Sequence, residues 1–518
     1  MNIMRRVALA SAAALLALSA AQAADLPVKA SPVEYVRICS PYGAGFFFIP
    51  GTDTCIKLGG YLRVDTTFNG GIQGTPAWNG DIGERDRYGN NFVTRSRMLI
   101  SVDTRTATEY GLVRTFAEAR YQFSTLGNST ENPNSLATNL GNNNNLLDVP
   151  GGGFVSTAYL FIQFGGFTFG KSASAYASPW QGFPGNISDN LLGGQNTDTG
   201  VNNIQYTAQF GNGVSGTIGL DDPTVWDRTA IYNLTTGLNA VGTTGNAYAG
   251  VRSPDIVGNI RVDQAWGLFQ FSADAHNVTG SYNTLTASTA APTNLSEISG
   301  HPSDKWGGSV MAALQIKNIP TGTGDDIKVD TSWAKGITKN VIATAGTSPS
   351  FAMFGGSNRG YQSVGFGATT DALWVPAGTV VGGVVGDGSL YLTEAYGIRG
   401  AFNHNWDQYW SSSLYGSYSA VRYDGTAKAF YCAAYTAGRV VSADFSCNPD
   451  FNVSQLGLLT RWTPVKGLTF SAEVQWFHLD QKFTGTAVLT PTAPKPTATY
   501  EFKDQDTVFL QLRAQRNF

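Results

Sequence analysis

The stretch VFLQLRAQRNF, residues 508–518, decides how this chain is read. Val508, Leu510, Leu512, Ala514 and Phe518 fall on one side of a period-two ladder, and Gln511, Arg513, Gln515 and Asn517 on the other. Phe509 interrupts the polar side and Arg516 the apolar side. Period two is the geometry of an extended strand, whose side chains alternate between faces. The apolar face must cover either a protein core or lipid, and the rest of the chain chooses between them.

The opposite end of the sequence carries an export pattern. Arg5 and Arg6 precede an apolar run over residues 7–21, and Ala21-Gln22-Ala23 is a small-x-small cleavage site. The run is short for a spanning helix and no stop-transfer pattern follows it. Residues 1–23 are therefore expected to be a signal peptide, cut after Ala23 or Ala24. Removing Arg5 and Arg6 from the 34 basic residues leaves 32 against 37 acidic ones, a net charge near −5. Such mild acidity argues against a nucleic-acid binder, which carries a basic patch or stripe. Charged residues are only 14% of the chain, against about a quarter in ordinary soluble domains. No run beyond residue 24 is long and apolar enough for a membrane helix. An exported chain of low charge that delivers its apolar residues by alternation is expected to be a transmembrane β-barrel.

Counting along the chain tests that expectation, because bacterial barrels alternate short periplasmic turns with long external loops and need roughly 9–11 alternating residues per strand. Alternating segments occupy 56–68, 92–106, 110–124, 154–164, 167–175, 201–211, 213–221, 256–266, 267–278, 305–317, 325–336, 391–404, 407–422, 451–463, 467–483 and the terminal stretch. Tight turns such as Gly165-Gly166, Gly211-Asn212-Gly213 and Pro464-Val465-Lys466 alternate with long connections, one of them holding the run Asn142 to Asn145. The tally is sixteen strands, seven short turns and eight long loops. The fold class expected is all-β: a 16-stranded antiparallel transmembrane barrel, wide enough to leave an aqueous channel. Residues 56–518 form it, and 24–55 remain as a short periplasmic segment before it.

Charges share one face of each strong strand. Met98, Ile100 and Val102 oppose Arg95, Arg97, Asp103 and Arg105, while Val113, Ala117, Ala119, Tyr121 and Phe123 oppose Arg114, Glu118, Arg120 and Gln122. An Arg or Lys facing mid-membrane lipid costs about 2–4 kcal/mol, so the aliphatic face points outward and the charged face lines the lumen. Trp410, Trp462 and Trp476 fall near strand ends, where aromatic girdles meet headgroups, and Phe518 suits the same belt. Arg63, Arg95, Arg97, Arg114 and Arg120 come from three consecutive strands spaced about 4.8 Å apart. They form either one basic wall that orients anions and dipoles or solvated residues paired with Glu118 and Asp103. The third long loop, 176–200, carries Asp189 and Asp198 among Pro179, Trp180, Phe183, Pro184, Ile187 and Leu191. A loop this apolar packs against something: the lumen wall or another subunit.

Four cysteines form two local pairs, Cys39 with Cys55 and Cys432 with Cys447, each closing a loop of about 15 residues. Neither pair has C-x-x-C spacing or a nearby histidine, so disulfides in an oxidising compartment are expected rather than zinc. Proximity favours this pairing among the three connectivities. His276, His301, His404 and His478 are scattered, and neither G-x-S-x-G nor H-E-x-x-H occurs. No enzyme, cofactor or metal is expected.

The segment VEYVRICSPYGAGFFFIPGTDTCIKLGGYLRVD, residues 33–65, resembles the N-terminal signature of the alphaproteobacterial porin family, the major outer-membrane porins of rhizobia and their relatives. PDIVGNIRVDQAWG, residues 254–267, resembles a second block of that family, and the terminal phenylalanine a third. The resemblance implies a homotrimeric porin in outer-membrane lipid, passing ions and small hydrophilic solutes by passive diffusion, with the third loop narrowing the pore. It matches Cys39 and Cys55 to the family's cysteine pair and the early-strand arginines to its basic wall. It makes Asp189 and Asp198 candidates for the acidic loop-three face, and Phe518 the mark read by the barrel-assembly machinery. Ser40-Pro41 and an expanded sixth loop depart from the family pattern.

Overall fold

The computed structural model describes residues 37–79, 83–87, 89–124, 153–196, 198–224, 227–344 and 348–518. The expected signal peptide, residues 1–23, the segment 24–36 and the asparagine run Asn142 to Asn145 lie outside the described residues. By their internal contacts the described residues fall into two compact units, one ending at Lys57 and the other beginning at Leu58.

In the first unit, Cys39 and Cys55 are joined by a disulfide across a Cα separation of 6.1 Å. Phe47 and Phe48 pair with Ile56 and Cys55 in a two-residue ladder. Phe46 and both cysteines are buried together, with Tyr42 and Phe48 packed against them. A segment this short has little apolar area of its own, and a covalent closure is the usual supplement.

In the second unit the alternating segments close into a barrel of sixteen antiparallel strands. In chain order these are β1 (Cys55–Phe68), β2 (Phe92–Thr108), β3 (Gly111–Ser124), β4 (Gly153–Phe164), β5 (Phe167–Ser172), β6 (Val201–Gly211), β7 (Val214–Asp221) and β8 (Asp255–Gln264). There follow β9 (Gly267–Val278), β10 (Lys305–Lys317), β11 (Asp326–Lys335), β12 (Glu394–Asn405), β13 (Trp410–Arg422), β14 (Phe451–Val465), β15 (Leu468–Gln481) and β16 (Gln505–Asn517). Each strand begins and ends within about three residues of the sequence expectation. Each pairs with its neighbour in sequence, and β1 closes the ring on β16 in a register running from Tyr61↔Asn517 to Phe68↔Leu510. Closure leaves no sheet edge, the condition for placing strands in a bilayer.

The seam depends on one glycine. Gly60 and Phe518 exchange main-chain hydrogen bonds of 3.2 and 3.1 Å. Gly60 has φ +155°, and a Cβ there would lie 2.0 Å from the Leu99 carbonyl oxygen of β2. Only glycine lets β1 run between both neighbours at this point.

Alternation then sorts the side chains. Leu62, Ile162, Ile218, Leu458, Val474, Val508 and Leu512 are exposed on the outer wall, whereas Arg95, Gln122, Gln270, Gln475 and Gln511 are buried within. Trp410 and Trp462 are cross-strand partners on β13 and β14, with rings stacked at 5.9 Å near the turn end. Trp476 lies toward the loop end of β15, where its Nε1 donates to Asp506.

The external connections are not bare loops. Phe351–Gly355, Gln362–Gly367, Ala498–Phe502 and Thr486–Leu489 form a four-stranded sheet from the sixth and eighth loops. A helix, α1 (Gly425–Thr436), follows β13; Asp424 caps it by accepting from the Ala427 N–H at 2.8 Å. Ala427, Phe430, Tyr431, Ala434 and Tyr435 are its buried stripe, at helical spacing. The second disulfide, Cys432–Cys447, ties this helix to the chain ahead of β14. Trp78, Phe351, Phe354, Phe366, Tyr435, Phe483 and Phe502 join these pieces into one apolar core. Asp371 fastens the fourth loop to the sixth, accepting from the Thr229 and Thr338 N–H groups and from the Tyr248 and Thr338 hydroxyls.

Candidate functional site

The basic residues of β1 to β3 reach the lumen because they share one parity, but their partners divide them. Asp65 on β1 accepts from Arg95 Nε at 2.8 Å and Nη2 at 2.5 Å, and from Arg513 Nε of β16 at 2.6 Å. All three side chains are buried. Arg95 also lies 3.9 Å from Asp189 of the third loop. Arg97, equally buried, donates to Gln122 at 2.7 Å and to Gln73 of the first loop at 3.3 Å. Arg120 stands between Glu118 at 3.1 Å and Asp198 at 2.7 Å. Arg63 donates to Gln515 at 2.7 Å and lies over the Tyr61 ring at 4.3 Å. Arg114 is apart from these: with Arg105 it pairs with Asp103 near the β2–β3 turn. The five arginines are thus not one uniform surface. Arg95, Arg97 and Arg120 meet loop residues, Arg63 faces open space, and Arg114 belongs to the turn end.

The third loop, 173–200, runs through the barrel interior. Its Ile187 N–H donates to Glu473 of β15 at 3.0 Å and its Leu192 N–H to Gln455 of β14 at 2.8 Å. Arg461 Nη2 donates to the Gly185 carbonyl at 2.7 Å and Asn403 to the Pro184 carbonyl at 3.0 Å. Leu191 and Ile187 pack on Ala401, Tyr415 and Leu459. Of the apolar residues that stand out in the sequence, Ile187 and Leu191 therefore rest on the lumen wall. The loop's far end returns to β3 through Asp198. Burial works against ionisation of that carboxyl, but the adjoining Arg120 guanidinium outweighs it and holds Asp198 below the usual carboxylate range.

These groups enclose a cavity of about 660 Å³ inside the barrel. Arg63, Arg120, Arg461 and Arg513 line it together with Glu118, Asp189 and Asp198, and with Tyr61 and Tyr159. Arg120 and Arg513 are each held by a carboxylate. Arg63 and Arg461 have neutral hydrogen-bond partners: Gln515 for the first, Ser413 and the Gly185 carbonyl for the second.

Arg461 and Arg513 were absent from the wall expected from the sequence. Both obey the same parity rule, and Arg513 had already been placed on the polar side of β16. What the sequence could not show is that β14 and β16 face the same cavity as β1 and β3. Among the described residues, no three histidine, cysteine or acidic side chains converge as a metal site.

A closed antiparallel ring with an apolar outer wall, a polar lumen and an inward-running loop defines a β-barrel of the outer membrane. The chain matches the Porin subfamily over residues 25–510 and belongs to that family. Over 270 residues it is 34% identical to porin Omp2b of Brucella abortus (strain 2308), a match covering 52% of this chain and 64% of that protein. Porin Omp2b of Brucella melitensis biotype 1 is also 34% identical over 270 residues. The match therefore spans slightly less than two thirds of these relatives' length. Among solved structures, the outer membrane channel DcaP of Acinetobacter baumannii superposes with a TM-score of 0.53 at 14% identity, covering 91% of this chain and 99% of that one. That likeness concerns the fold.

Proposed function

We propose that the chain is a general porin: a water-filled channel through which ions and small hydrophilic solutes diffuse passively across the outer membrane. The observation that carries this reading is the charged cavity inside a barrel whose outer wall is apolar. A lumen of this kind lowers the desolvation cost of small polar solutes without binding any one of them tightly. No catalytic role is part of the reading. Residues 1–23 serve as the signal peptide, 24–55 as a short periplasmic segment and 56–518 as the pore. The working unit is a homotrimer in outer-membrane lipid, delivered by the barrel-assembly machinery, which reads Phe518.

Within the pore, Arg63, Arg95, Arg97, Arg114 and Arg120 are the basic wall and Asp189 and Asp198 the acidic loop face. Their pairing supports a graded role. Arg95 and Arg97 chiefly hold the architecture, and Arg114 acts at the turn-side mouth. Arg63 and Arg120, with Arg461, set the field that a passing ion meets. Planar-bilayer recording in a salt gradient tests both levels. The purified protein should insert as discrete conductance steps, and failure of the folded barrel to conduct would refute the channel reading. Replacing Arg63, Arg120 and Arg461 by Ser should move the reversal potential toward cation preference. An unchanged reversal potential and conductance would remove these residues from ion selection.

A further inference from the structure

On β11 and β12, opposite the basic wall, Asp330 and Arg399 are direct cross-strand partners. Arg399 Nε donates to Asp330 Oδ1 at 2.9 Å and Oδ2 at 3.1 Å. Neither side chain reaches solvent: they are 1% and 0% exposed. The remaining donors of Arg399 leave the wall and enter the third loop. Nη1 donates to the Leu191 carbonyl at 3.2 Å and the Gly194 carbonyl at 3.3 Å, and Nη2 to the Gln195 carbonyl at 2.6 Å. Trp180, earlier in the same loop, donates its Nε1 to Asp330 Oδ2.

The loop sequence is shaped for this contact. A Cβ on Gly194 would lie 2.6 Å from Asp330 Oδ1 and 2.9 Å from Arg399 Nη2. Gly193 has φ +103°, and a Cβ there would lie 2.6 Å from the Ile398 carbonyl oxygen. Two consecutive glycines thus let the backbone come within hydrogen-bond reach of a guanidinium. The sixth loop closes the other side, its Val341 carbonyl accepting from the Gly193 N–H at 2.9 Å. Asp189 precedes this turn and Asp198 follows it, and they meet Arg95 and Arg120 respectively. The clamped turn therefore lies between the loop's two acidic contacts with the opposite wall.

We propose that Arg399, oriented by Asp330, is the positioning residue of the third loop: its planar fork clamps the turn 191–195 and so fixes where Asp189 and Asp198 stand in the pore. The role rests on the channel reading but requires no contact between Arg399 and solute. A lysine cannot replace the fork, because a single ammonium cannot hold the carboxylate in plane while reaching three carbonyls. Asp330 keeps the guanidinium in register, and without its charge a buried cation would face only carbonyl dipoles.

The test compares wild type with Arg399→Met, Arg399→Lys and Gly194→Ala, each purified as the full barrel. Two readouts are taken: amide hydrogen exchange of 191–195, and single-channel closing voltage with open-channel noise. Arg399→Met should raise exchange in 191–195 at least tenfold while strand amides stay protected, and should roughly halve the closing voltage. Arg399→Lys should fall between it and wild type. Gly194→Ala keeps the ion pair yet pushes the backbone away, so it should reproduce the Met phenotype even where Arg399→Met fails to fold. Wild-type exchange in 191–195 together with wild-type closing voltage, in a folded Arg399→Met or Gly194→Ala barrel, overturns the proposal. A wild-type barrel that carries no current overturns the channel reading instead, and exchange alone then decides whether the clamp exists.

Discussion

Asp65→Asn is the sharpest test of how the lumen holds its charges. Asp65 is the shared acceptor of Arg95 and Arg513, through contacts of 2.5–2.8 Å. Its side chain is 1% exposed, and those of Arg95 and Arg513 are 0% and 6% exposed. Asparagine keeps the volume and one acceptor oxygen but removes the charge between two cations. The substitution removes the carboxylate's attraction for each guanidinium, about 4 kcal/mol apiece at about 4 Å and an effective dielectric of about 20, offset in part by the relieved desolvation of the carboxylate itself. Weakened charge-assisted hydrogen bonds add to this, so the loss should match the roughly 3–5 kcal/mol seen when one partner of a buried pair is removed. Asp103→Asn is the control. Its carboxylate is 12% exposed and its arginines 26–27%, so solvent screening should hold the cost to about 0–1 kcal/mol. Urea unfolding in lipid vesicles, followed by tryptophan fluorescence, measures both. Adding Arg513→Gln to Asp65→Asn should recover part of the loss by removing one uncompensated cation. If Asp65→Asn costs less than about 1 kcal/mol, or no more than Asp103→Asn, the buried-pair reasoning is wrong.

Four further outcomes follow from the same geometry. Leu458→Arg, on the exposed outer wall of β14, should cost about 2–4 kcal/mol in vesicle folding; a neutral result would mean that this face does not meet lipid. Replacing Cys432 and Cys447 by Ser opens α1's tie, with an expected cost of about 2–4 kcal/mol to the apolar core that α1 shares with the sixth and eighth loops; proteolysis of residues 425–447 should accelerate while the barrel stays heat-modifiable. Burial pushes Asp227, in the fourth loop, up to about 6, against the opposing pull of Lys339 and His276. Because an acid with a raised pKa favours the folded state when protonated, this contribution is full below about pH 4 and lost as pH rises to about 6. Asp227→Asn should flatten that slope in loop proteolysis, and an unaltered slope would assign it to another group. Phe518→Ser keeps the main-chain bonds to Gly60, so refolding in vitro should barely change while assembly in cells falls several-fold; normal assembly would remove Phe518 as a signal.

Strands were legible because parity is local. Whether Leu512 or Arg513 faces lipid depends on backbone alternation and on the cost of burying charge in hydrocarbon, and neither needs a distant contact. The irregularities are where tertiary structure intervened, as where β3 and β4 slip in register between Glu118 and Ala119. The helix α1 was not anticipated. Its apolar stripe is only about two turns long and sits inside a cysteine-closed loop, where local pattern carries little weight without the core it packs against.

Residue order alone sets a ring of sixteen strands with an apolar outside and a charged inside, since each strand's side-chain parity is written in consecutive residues. It did not determine which charges meet. Asp65 and Arg513 are 448 residues apart, and Arg399 and Leu191 are 208 apart. Closing the ring and drawing the third loop through it brings such pairs within hydrogen-bond reach, and no local period encodes a distance of that kind. Ring closure and the path of the third loop bury Arg95 and Arg513 against Asp65, turn Arg63 and Arg461 to the open cavity, and bring the 191–195 turn onto Arg399.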